Sequence, residues 1–512
     1  MESTIYLQPE VKDVKEETEY TKSMKRQFPH FGIGCLLYSA FYAFCLYKNA
    51  SGITYPFFVA GTLYYFFYSM KRLGVPFKKD SVFYIAAITV LGISNCMTAS
   101  PQILFFNKCV IFLLTFILML HIVYNDKEWN FLYYFFAIFR TVGSCFSCLL
   151  SPFGDMVSYF DAQKNKINAK RNYFLPIFTG IIIAIPLLFC ITLLLADADV
   201  IFENILFQLA DALNIWTMIK ILILMTAVFF FSYSILAALC KKNVKEKTEE
   251  GTRFDSVIAI VVTSMLCILY LFFSVIQILY LFIGKMELPE NYTYASYARE
   301  GFFQLLAVSV INLLIVLICL YLFHESDVLK GILTIICICT FIMIFSSALR
   351  MMLYINTYAL TFLRVFVLWS LAVIFLLMAG VTAFIFYKKF PLFLYGLTVI
   401  TICYIGLSFS HPDYWIARYN LKQEEGYEYL SRLSADAAPA ILNTSYNHDF
   451  TDIDNMMKNT HVDNNGNYYV DYYDDWYWMR NYCCKIKNNT RSIKIRNFNF
   501  SRYQAQKYLH RT

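Results

Sequence analysis

The chain has 512 residues, of which 59% are hydrophobic, 19% aromatic and only 15% charged. Ordinary soluble domains carry about 25% charged residues, so this composition excludes a single soluble enzyme. The formal net charge of +7 is small for this length, and the basic residues lie between apolar segments. The charge pattern therefore indicates membrane topology and gives no sign of nucleic-acid binding.

The first 30 residues are polar and mixed in charge. They lack the short apolar core and the small-residue cleavage site of a signal peptide. The first apolar helix is therefore predicted to be an uncleaved span, preceded by a cytoplasmic segment over 1–30.

Eleven long apolar segments follow this region. A helix needs about 20 apolar residues to cross the hydrocarbon core, and each segment comes close to that length or exceeds it. The sequence therefore predicts an all-α fold, a polytopic transmembrane helix bundle of about eleven spans over residues 31–410, surrounded by the lipid bilayer. The predicted spans are 31–47, 53–70, 82–98, 103–124, 173–195, 215–240, 256–283, 298–323, 330–349, 360–387 and 390–410.

Two connections between spans deserve separate predictions. Residues 98–101 predict a tight turn, with Pro101 suited to begin the next helix. The segment 125–172 is apolar and aromatic in its middle, but Arg140 and Gly143 interrupt it. A helix lying in the membrane interface explains this segment better than another crossing. A twelfth crossing would invert every later loop.

Lysine and arginine alternate between loops in a regular way. They cluster in the N-terminal segment and after the second, fourth, sixth and tenth spans, and they are almost absent after the first, third, fifth and seventh. Cytoplasmic loops carry the excess of basic residues. The pattern predicts a multi-pass protein of the inner or plasma membrane, with a cytoplasmic N-terminus and the C-terminus outside.

The polar tail, residues 411–512, is predicted to form a small helical soluble module. A helix is expected over 422–433, and Ser434 and Asp436 predict a cap before a second short helix over 437–442. The Asn- and Asp-rich stretch 444–467 is predicted to be a loop, and 498–509 a terminal helix. Tyrosine and tryptophan crowd 468–478, which favours a protein partner as one role for the module.

Charged residues inside spans are costly, so each is a functional hypothesis. Lys108 and Lys220 lie near span ends and are expected to extend toward the interface. The other candidates gather at the predicted outer face. They are Arg299, Glu300, Arg350 and Arg364. Gln304 and Asn312 follow Glu300 along the same span, and the three residues are expected to form a polar stripe that faces the bundle interior.

Two interpretations of this outer cluster remain open. It can be an internal salt-bridge network that ties spans together. Alternatively, it can be a pocket for an anionic small molecule or a lipid head group, because arginine forks match carboxylates and phosphates. The ligand-binding residues of that second interpretation are Arg299, Glu300, Gln304, Arg350 and Arg364.

The sequence contains no catalytic or cofactor signature. Cys145 and Cys148 have the spacing of a redox or metal motif, but no second pair accompanies them, so we expect two buried thiols. No catalytic residue, metal site or cofactor is predicted. Binding or transport of an anionic or lipidic ligand is the first functional hypothesis. A membrane scaffold or sensor is the second, and a lipid-modifying enzyme using Asp197, Asp199 and Glu300 is the third.

Six short motifs carry a resemblance to a known family. The motifs and their order are similar to those of an uncharacterised bacterial family of polytopic membrane proteins. This family is a domain of unknown function numbered 4173, and it is related to group 4153. The resemblance implies a membrane protein and supplies no function. The motifs are YAREGFFQLL (297–306), LRMMLY (349–354), YALTFLR (358–364), PDYWIARYN (412–420), YLSRLSADAAP (429–439) and FNFSRY (498–503).

The chain departs from the family pattern at two positions. The family has glycine where this chain has Ala359, and asparagine where it has His411. Ala359 therefore predicts a turn of ordinary backbone conformation, or a helix that continues through this position.

Overall fold

The structure is a computed structural model. It describes residues 17–49, 51–126, 129–164, scattered positions between 184 and 205, 214–244, 253–279, 301–443, 460–462, 468–470, 477–491 and 493–509. Most of the predicted span 173–195 lies outside the described residues.

Thirteen α-helices are described before the tail, and most are apolar along their whole length. Most end where glycine, proline or polar residues interrupt the apolar run. They are α1 Glu19–Arg26, α2 Phe28–Leu46, α3 Thr54–Arg72, α4 Ser81–Met97, α5 Pro101–Val123, α6 Phe131–Ser147, α7 Ser151–Lys164, α8 Ile215–Cys240, α9 Ser256–Gln277, α10 Phe302–Leu322, α11 Asp327–Tyr358, α12 Phe362–Phe386 and α13 Leu392–Phe409.

The tail forms a mainly helical module of short elements. Its only described strands pair as an antiparallel hairpin, with His461 opposite Tyr469. The elements are α14 Pro412–Gln423, α15 Tyr427–Arg432, a 3₁₀ turn Ala435–Ala437, α16 Ala438–Leu442, β1 Thr460–Val462, β2 Tyr468–Val470, α17 Tyr477–Thr490, a 3₁₀ turn Ile495–Asn497 and α18 Phe500–Leu509.

Eight of the described helices are long and apolar enough to cross a membrane: α2, α5 and α8 to α13. The pair α6 and α7 passes the same test only when taken together, and it bends by 61° at its break. The chain is therefore an all-α, multi-pass integral membrane protein. The predicted number of eleven spans stays a prediction, because the fifth lies outside the described residues.

The bounds of the predicted helices agree closely with the observed ones. The span predicted over 215–240 is helix α8, residue for residue, and Pro101 opens α5 after a three-residue turn. Helix α11 is longer than its predicted span, with 32 residues in place of 330–349. In the tail, the Ser434 hydroxyl accepts from the Asp436 amide as the cap prediction requires.

The helices pack as two groups with α13 between them. In the first group α2 packs against α3 and α8, and α4 packs against α3 and α5. In the second group α11 packs against α9, α10 and α12. Helix α13 joins the groups, because it contacts both α12 and α4.

One end of the bundle carries most of the basic loops, and we call it the basic end. Here Lys78 Nζ donates to the Tyr124 carbonyl at 2.6 Å, and the Phe254 amide donates to the Leu322 carbonyl at 2.8 Å. Lys388 forms an ion pair with Glu325 at 3.3 Å. Tyr134 of α6 stacks on Phe393 of α13 with ring centres 4.3 Å apart, so the loops before α4, α6, α9, α11 and α13 lie at the same end.

The opposite end carries the tail module, and we call it the tail end. Asn499 Nδ2 donates to the carbonyls of Ser51 at 3.1 Å and Thr98 at 2.9 Å. Asn420 Oδ1 accepts from the Leu360 amide at 2.7 Å. The turns α2–α3, α4–α5 and α11–α12 are therefore all bound by the same C-terminal module.

Helix α6 begins and ends at the basic end. Near its start, the Tyr134 hydroxyl donates to Asp126, which also pairs with Lys78 at 3.6 Å. Near its other end, Asn243 Nδ2 donates to Ser144 Oγ at 3.1 Å. Since 17 helical residues extend about 25 Å, both contacts fit a helix lying along this end.

The expectation for Ala359 is wrong. Ala359 ends α11 with φ of +67°, a conformation that L-residues with a Cβ rarely adopt. The conformation persists because the Leu360 amide and carbonyl both bond Asn420, and because the Ala359 carbonyl accepts from Arg364. These bonds override the cost of the Cβ.

The helix predicted over 422–433 is also wrong as a single element. Glu424 and Gly426 both adopt positive φ, at +58° and +71°, and separate α14 from α15. The break places Gly426 against Ala359, where a Cβ on Gly426 would lie 3.0 Å from the Ala359 methyl. The sequence carried a signal for this turn in Gly426 itself.

Candidate functional site

Arg350 is buried among helices α9, α10 and α11, with 7% of its surface exposed. Its Nη2 donates to Gln277 Oε1 at 3.2 Å, and Ser346 Oγ donates to the same oxygen at 2.5 Å. Gly301 has φ of +127°, and a Cβ there would lie 2.5 Å from Arg350 Nη1. Glycine at 301 therefore allows the guanidinium to lie against the backbone that begins α10.

Arg364 lies one turn into α12 and reaches back to the end of α11. Its Nη1 donates to the carbonyl of Tyr358 at 2.6 Å and to that of Ala359. The guanidinium carbon stands 4.2 Å from the centre of the Tyr354 ring. A cation at a helix C-terminus satisfies the last carbonyls and the negative end of the helix dipole.

A cavity of about 260 Å³ opens beside Arg364. Phe302, Phe303, Met351 and Leu363 form most of its wall. Arg364 is the one charged residue among the described residues that line this cavity. Its Nη1 already donates to two carbonyls. The contacts of Arg364 are thus those of a helix cap at the rim of a small cavity.

Of the remaining residues of the predicted outer cluster and its polar stripe, the structure describes Gln304 and Asn312. Arg299 and Glu300 lie outside the described residues. Gln304 is exposed, whereas Asn312 is buried and donates to Thr340 Oγ1 at 2.9 Å. The expectation that Gln304 shares the interior face with Asn312 is wrong, because eight residues turn a helix about 80° past two full turns.

A larger cavity, of about 660 Å³, lies between α2, α3, α5 and α8. Its walls are mainly the apolar and aromatic side chains of these four helices. Phe58 and Phe66 come from α3, Ile111 and Met119 from α5, and Leu236 from α8. Small-molecule sites span about 300–1,000 Å³ with mostly apolar walls, so this cavity has the size and lining of a ligand site.

Lys108 is the only charged side chain among the described residues that line this cavity. It is the eighth residue of α5, about 10 Å along the helix from the tail end. Within the described part of the chain, Lys108 forms no hydrogen bond and no ion pair. A half-buried ammonium thus faces an apolar cavity without a counter-charge from the described residues.

Tyrosine hydroxyls supply most of the other polar atoms. Tyr38 bonds Thr62 at 3.0 Å, and Tyr65 bonds Cys35 at 2.8 Å. The hydroxyls of Tyr42 and Tyr55, on the tail-end half of the cavity, form no hydrogen bond with any described residue. They remain available to a guest at the same end as Lys108.

The cavity reaches the outer surface of the helix bundle. Phe112 and Phe231 line it, yet 60% and 45% of their surfaces are exposed. In contrast, Lys220 is exposed at the start of α8, as a lysine extending toward the interface would be. Lys108 and Lys220, for which the sequence gives the same prediction, therefore have different surroundings.

Sequence reasoning identified Lys108 as a costly intramembrane charge but did not find its cavity. The four walls come from helices separated by up to 200 residues, and no local motif marks their approach. The alternation of Tyr and Phe on α2 and α3 was a signal, since Tyr38, Tyr42, Tyr55, Phe58 and Tyr65 recur at helical spacing.

Apolar helices of bilayer-spanning length make this chain an integral membrane protein, and an internal cavity opens between four of its helices. The chain belongs to the family described as a domain of unknown function, DUF4153, whose model matches residues 85–444. The match includes Lys108, Arg350 and Arg364 and begins within α4, after two of the cavity helices. Group number 4173 and a bacterial source stay predictions. No curated protein and no solved structure matches the chain.

Proposed function

We propose that this protein binds an anionic amphiphile, with an apolar chain and a negatively charged head, in the cavity between α2, α3, α5 and α8. The observation that carries the proposal is Lys108, a cation facing an apolar cavity with no partner among the described residues. We name this cavity the Lys108 cavity.

The energetics of burial support this assignment. A charge inside a membrane protein costs several kcal/mol unless it is paired or hydrated. An anionic head group would supply the missing counter-charge, while the hydroxyls of Tyr42 and Tyr55 would donate to it. The aromatic wall would receive the apolar chain, which would enter past Phe112 and Phe231 from the bilayer.

The outer arginine cluster is a second proposed location for an anionic or lipidic ligand. Its support is the cavity beside Arg364. The contacts of Arg364 favour a structural role, so substitution distinguishes the two. If Arg364→Ala loses ligand-induced stabilisation and still folds, the cluster binds ligand. If the variant fails to fold, the cluster is a structural network.

The orientation of the chain bears on which leaflet supplies the ligand. We propose a cytoplasmic basic end, with the tail module outside and α6 and α7 lying in the inner interface. The proposal is supported by the basic loops that gather at one end and by the bonds from Asn499 and Asn420 to turns at the other. Lys108 would then face the outer half of the bilayer.

The other hypotheses receive less support. The aromatic residues that favoured a protein partner include Trp478, which is buried and stacks on Tyr427 with ring centres 5.4 Å apart. Among the carboxylates proposed for an enzyme, Asp197 and Asp199 are exposed, and Glu300 lies outside the described residues. We retain ligand binding as the proposal, with transport as a further possibility of the same cavity.

Three variants test the proposal by thermal unfolding in a neutral detergent. An anionic phospholipid such as phosphatidylglycerol is expected to raise the Tm of the unmodified protein, and phosphatidylcholine to do so less. A ligand at 100 times its Kd stabilises by about 2.7 kcal/mol. Lys108→Met should lose this response, Lys108→Arg should keep most of it, and Lys220→Met should keep it fully. Equal responses in all variants would refute the role of Lys108.

A further inference from the structure

The 3₁₀ turn Ile495–Asn497 is fastened to the tail end of α2. Arg496 Nη2 donates to the Tyr47 carbonyl at 2.8 Å, and its carbonyl accepts from Asn49 Nδ2 at 2.7 Å. A Cβ at Gly52 would lie 2.5 Å from the same carbonyl, so the turn and the α2–α3 connection are in close contact. The position of the turn relative to the bundle is thus set by several bonds.

Next to these bonds, the turn exposes an apolar side chain. Ile495 has 91% of its surface exposed, more than any other large apolar residue described. Phe44, whose carbonyl also accepts from Arg496 at 3.4 Å, is 64% exposed on the outward face of α2. Ile495 therefore lies at the level where the lipid-facing surface of α2 ends.

Basic side chains accompany Ile495. Arg491 and Lys494 are exposed, and Arg496 is half-buried against the end of α2. A short segment that alternates apolar and basic residues is typical of the membrane interface, where the apolar groups enter the acyl boundary and the basic groups meet phosphates. Lysine stems also lie along apolar surface while the ammonium stays in water.

We propose that Arg491 and residues 493–496 form an interfacial anchor that holds the tail module on the bilayer, with Ile495 inserted among the lipid chains. The anchor binds the lipid surface, and Arg491 and Lys494 favour anionic head groups. The bilayer fits better than a protein partner because the segment continues the lipid-facing surface of α2. The inference is independent of the Lys108 cavity and of any ligand there.

Site-specific fluorescence in nanodiscs tests the anchor. The background protein has Cys96, Cys109, Cys190 and Cys403 replaced by alanine. Cys96, Cys109 and Cys403 are the described cysteines that are not buried, and Cys190 lies outside the described residues. Ile495→Cys is labelled with an environment-sensitive dye. Glu428→Cys is the matched control, because this acidic side chain is 86% exposed in the same module.

The expected result is strong quenching at position 495 by phospholipids that carry a nitroxide near the head group, and little quenching at 428. Aqueous iodide should show the reverse order. Replacing neutral lipid with phosphatidylglycerol should shift the emission at 495 further to the blue. Equal iodide quenching at both positions would overturn the proposal. Protection of position 495 from both quenchers would also overturn it, because this is the result expected if a protein partner covered the segment.

Ile495→Asp gives a second readout in the unlabelled protein. The anchor predicts faster hydrogen exchange over 493–509 in nanodiscs and no difference in detergent micelles that lack a bilayer surface. The same acceleration in both media would mean that Ile495 acts only within the protein, and this would also overturn the proposal.

Discussion

Substitution of Asp436 is expected to release the tail module from the membrane helices. Its carboxylate accepts from the Ala99 amide at 2.7 Å, from His411 Nδ1 at 3.4 Å and from the hydroxyls of Thr98 and Ser501. Two of these four donors come from the α4–α5 turn, and the other two come from separate parts of the tail. Asp436 therefore joins the module to the bundle at one buried point.

The magnitude follows from the two carboxylate oxygens. An asparagine that keeps its oxygen toward Ala99 and Ser501 places its amide against Thr98 and His411, so the charge-assisted bonds from these two groups are lost. Hydrogen bonds to a charged group contribute about 1.5–3 kcal/mol each, and part of that is offset because an amide is easier to bury. We expect Asp436→Asn to weaken docking by about 2–3 kcal/mol. Asp436→Ala should cost about 3–5 kcal/mol.

Asp413→Asn is the matched control. Asp413 is also buried, and it accepts from the Ser434 amide at 3.2 Å. Burial raises the pKa of its carboxyl, with further contributions from the nearby charge of Asp436. Because burial penalises the charged form of this carboxyl, a neutral amide of the same size should cost less than about 1 kcal/mol.

Hydrogen exchange of the α18 amides is the assay, because α18 carries Ser501 and packs against α4 of the bundle when the module is docked. A loss of 2–3 kcal/mol corresponds to an increase of about 30- to 150-fold in the exchange rate. Asp413→Asn should change it by less than about 5-fold. If both substitutions accelerate exchange equally, Asp436 is not the point that holds the module.

Three other predictions concern pH and backbone strain. The hydrogen bond to Asp436, opposed by burial, raises the pKa of His411. The stabilisation that protonated His411 contributes to docking is therefore complete below about pH 6.5 and is lost as pH rises through the higher folded pKa. His411→Asn should abolish this alkaline loss of docking, measured by hydrogen exchange. Ala359→Gly should stabilise the protein by about 1 kcal/mol in thermal unfolding, because glycine relieves the positive φ. The control Ala348→Gly, inside α11, should destabilise it by about 1 kcal/mol. Loss of stability in both variants would contradict the claim that Ala359 is strained. Gly301→Ala should destabilise by about 1–3 kcal/mol, because its φ is positive and its Cβ would strike Arg350, and an unchanged Tm would contradict this.

The helical fold was predictable because the bilayer imposes simple rules on sequence. A crossing must be apolar and about 20 residues long, so spans such as Ile215–Cys240 are visible in composition alone. The turn before Pro101 and the cap at Ser434 were also predictable, since proline and serine act through their own backbone and side chain.

The features that were missed depend on contacts between distant residues. Ala359 adopts a positive φ because Asn420 and Arg364 hold its turn, and neither bond leaves a mark near residue 359. Gln304 faces outward because of helix rotation over eight residues. The Lys108 cavity forms from four helices, so the sequence could identify the unusual charge but not the space around it.

The most direct test of the central claim is native mass spectrometry of the protein extracted from membranes in a mild detergent. The Lys108 cavity predicts that the unmodified protein and Lys220→Met both retain a bound anionic lipid, and that Lys108→Met loses it. Retention of the same lipid by all three proteins, or retention of neutral lipids alone, would contradict the account.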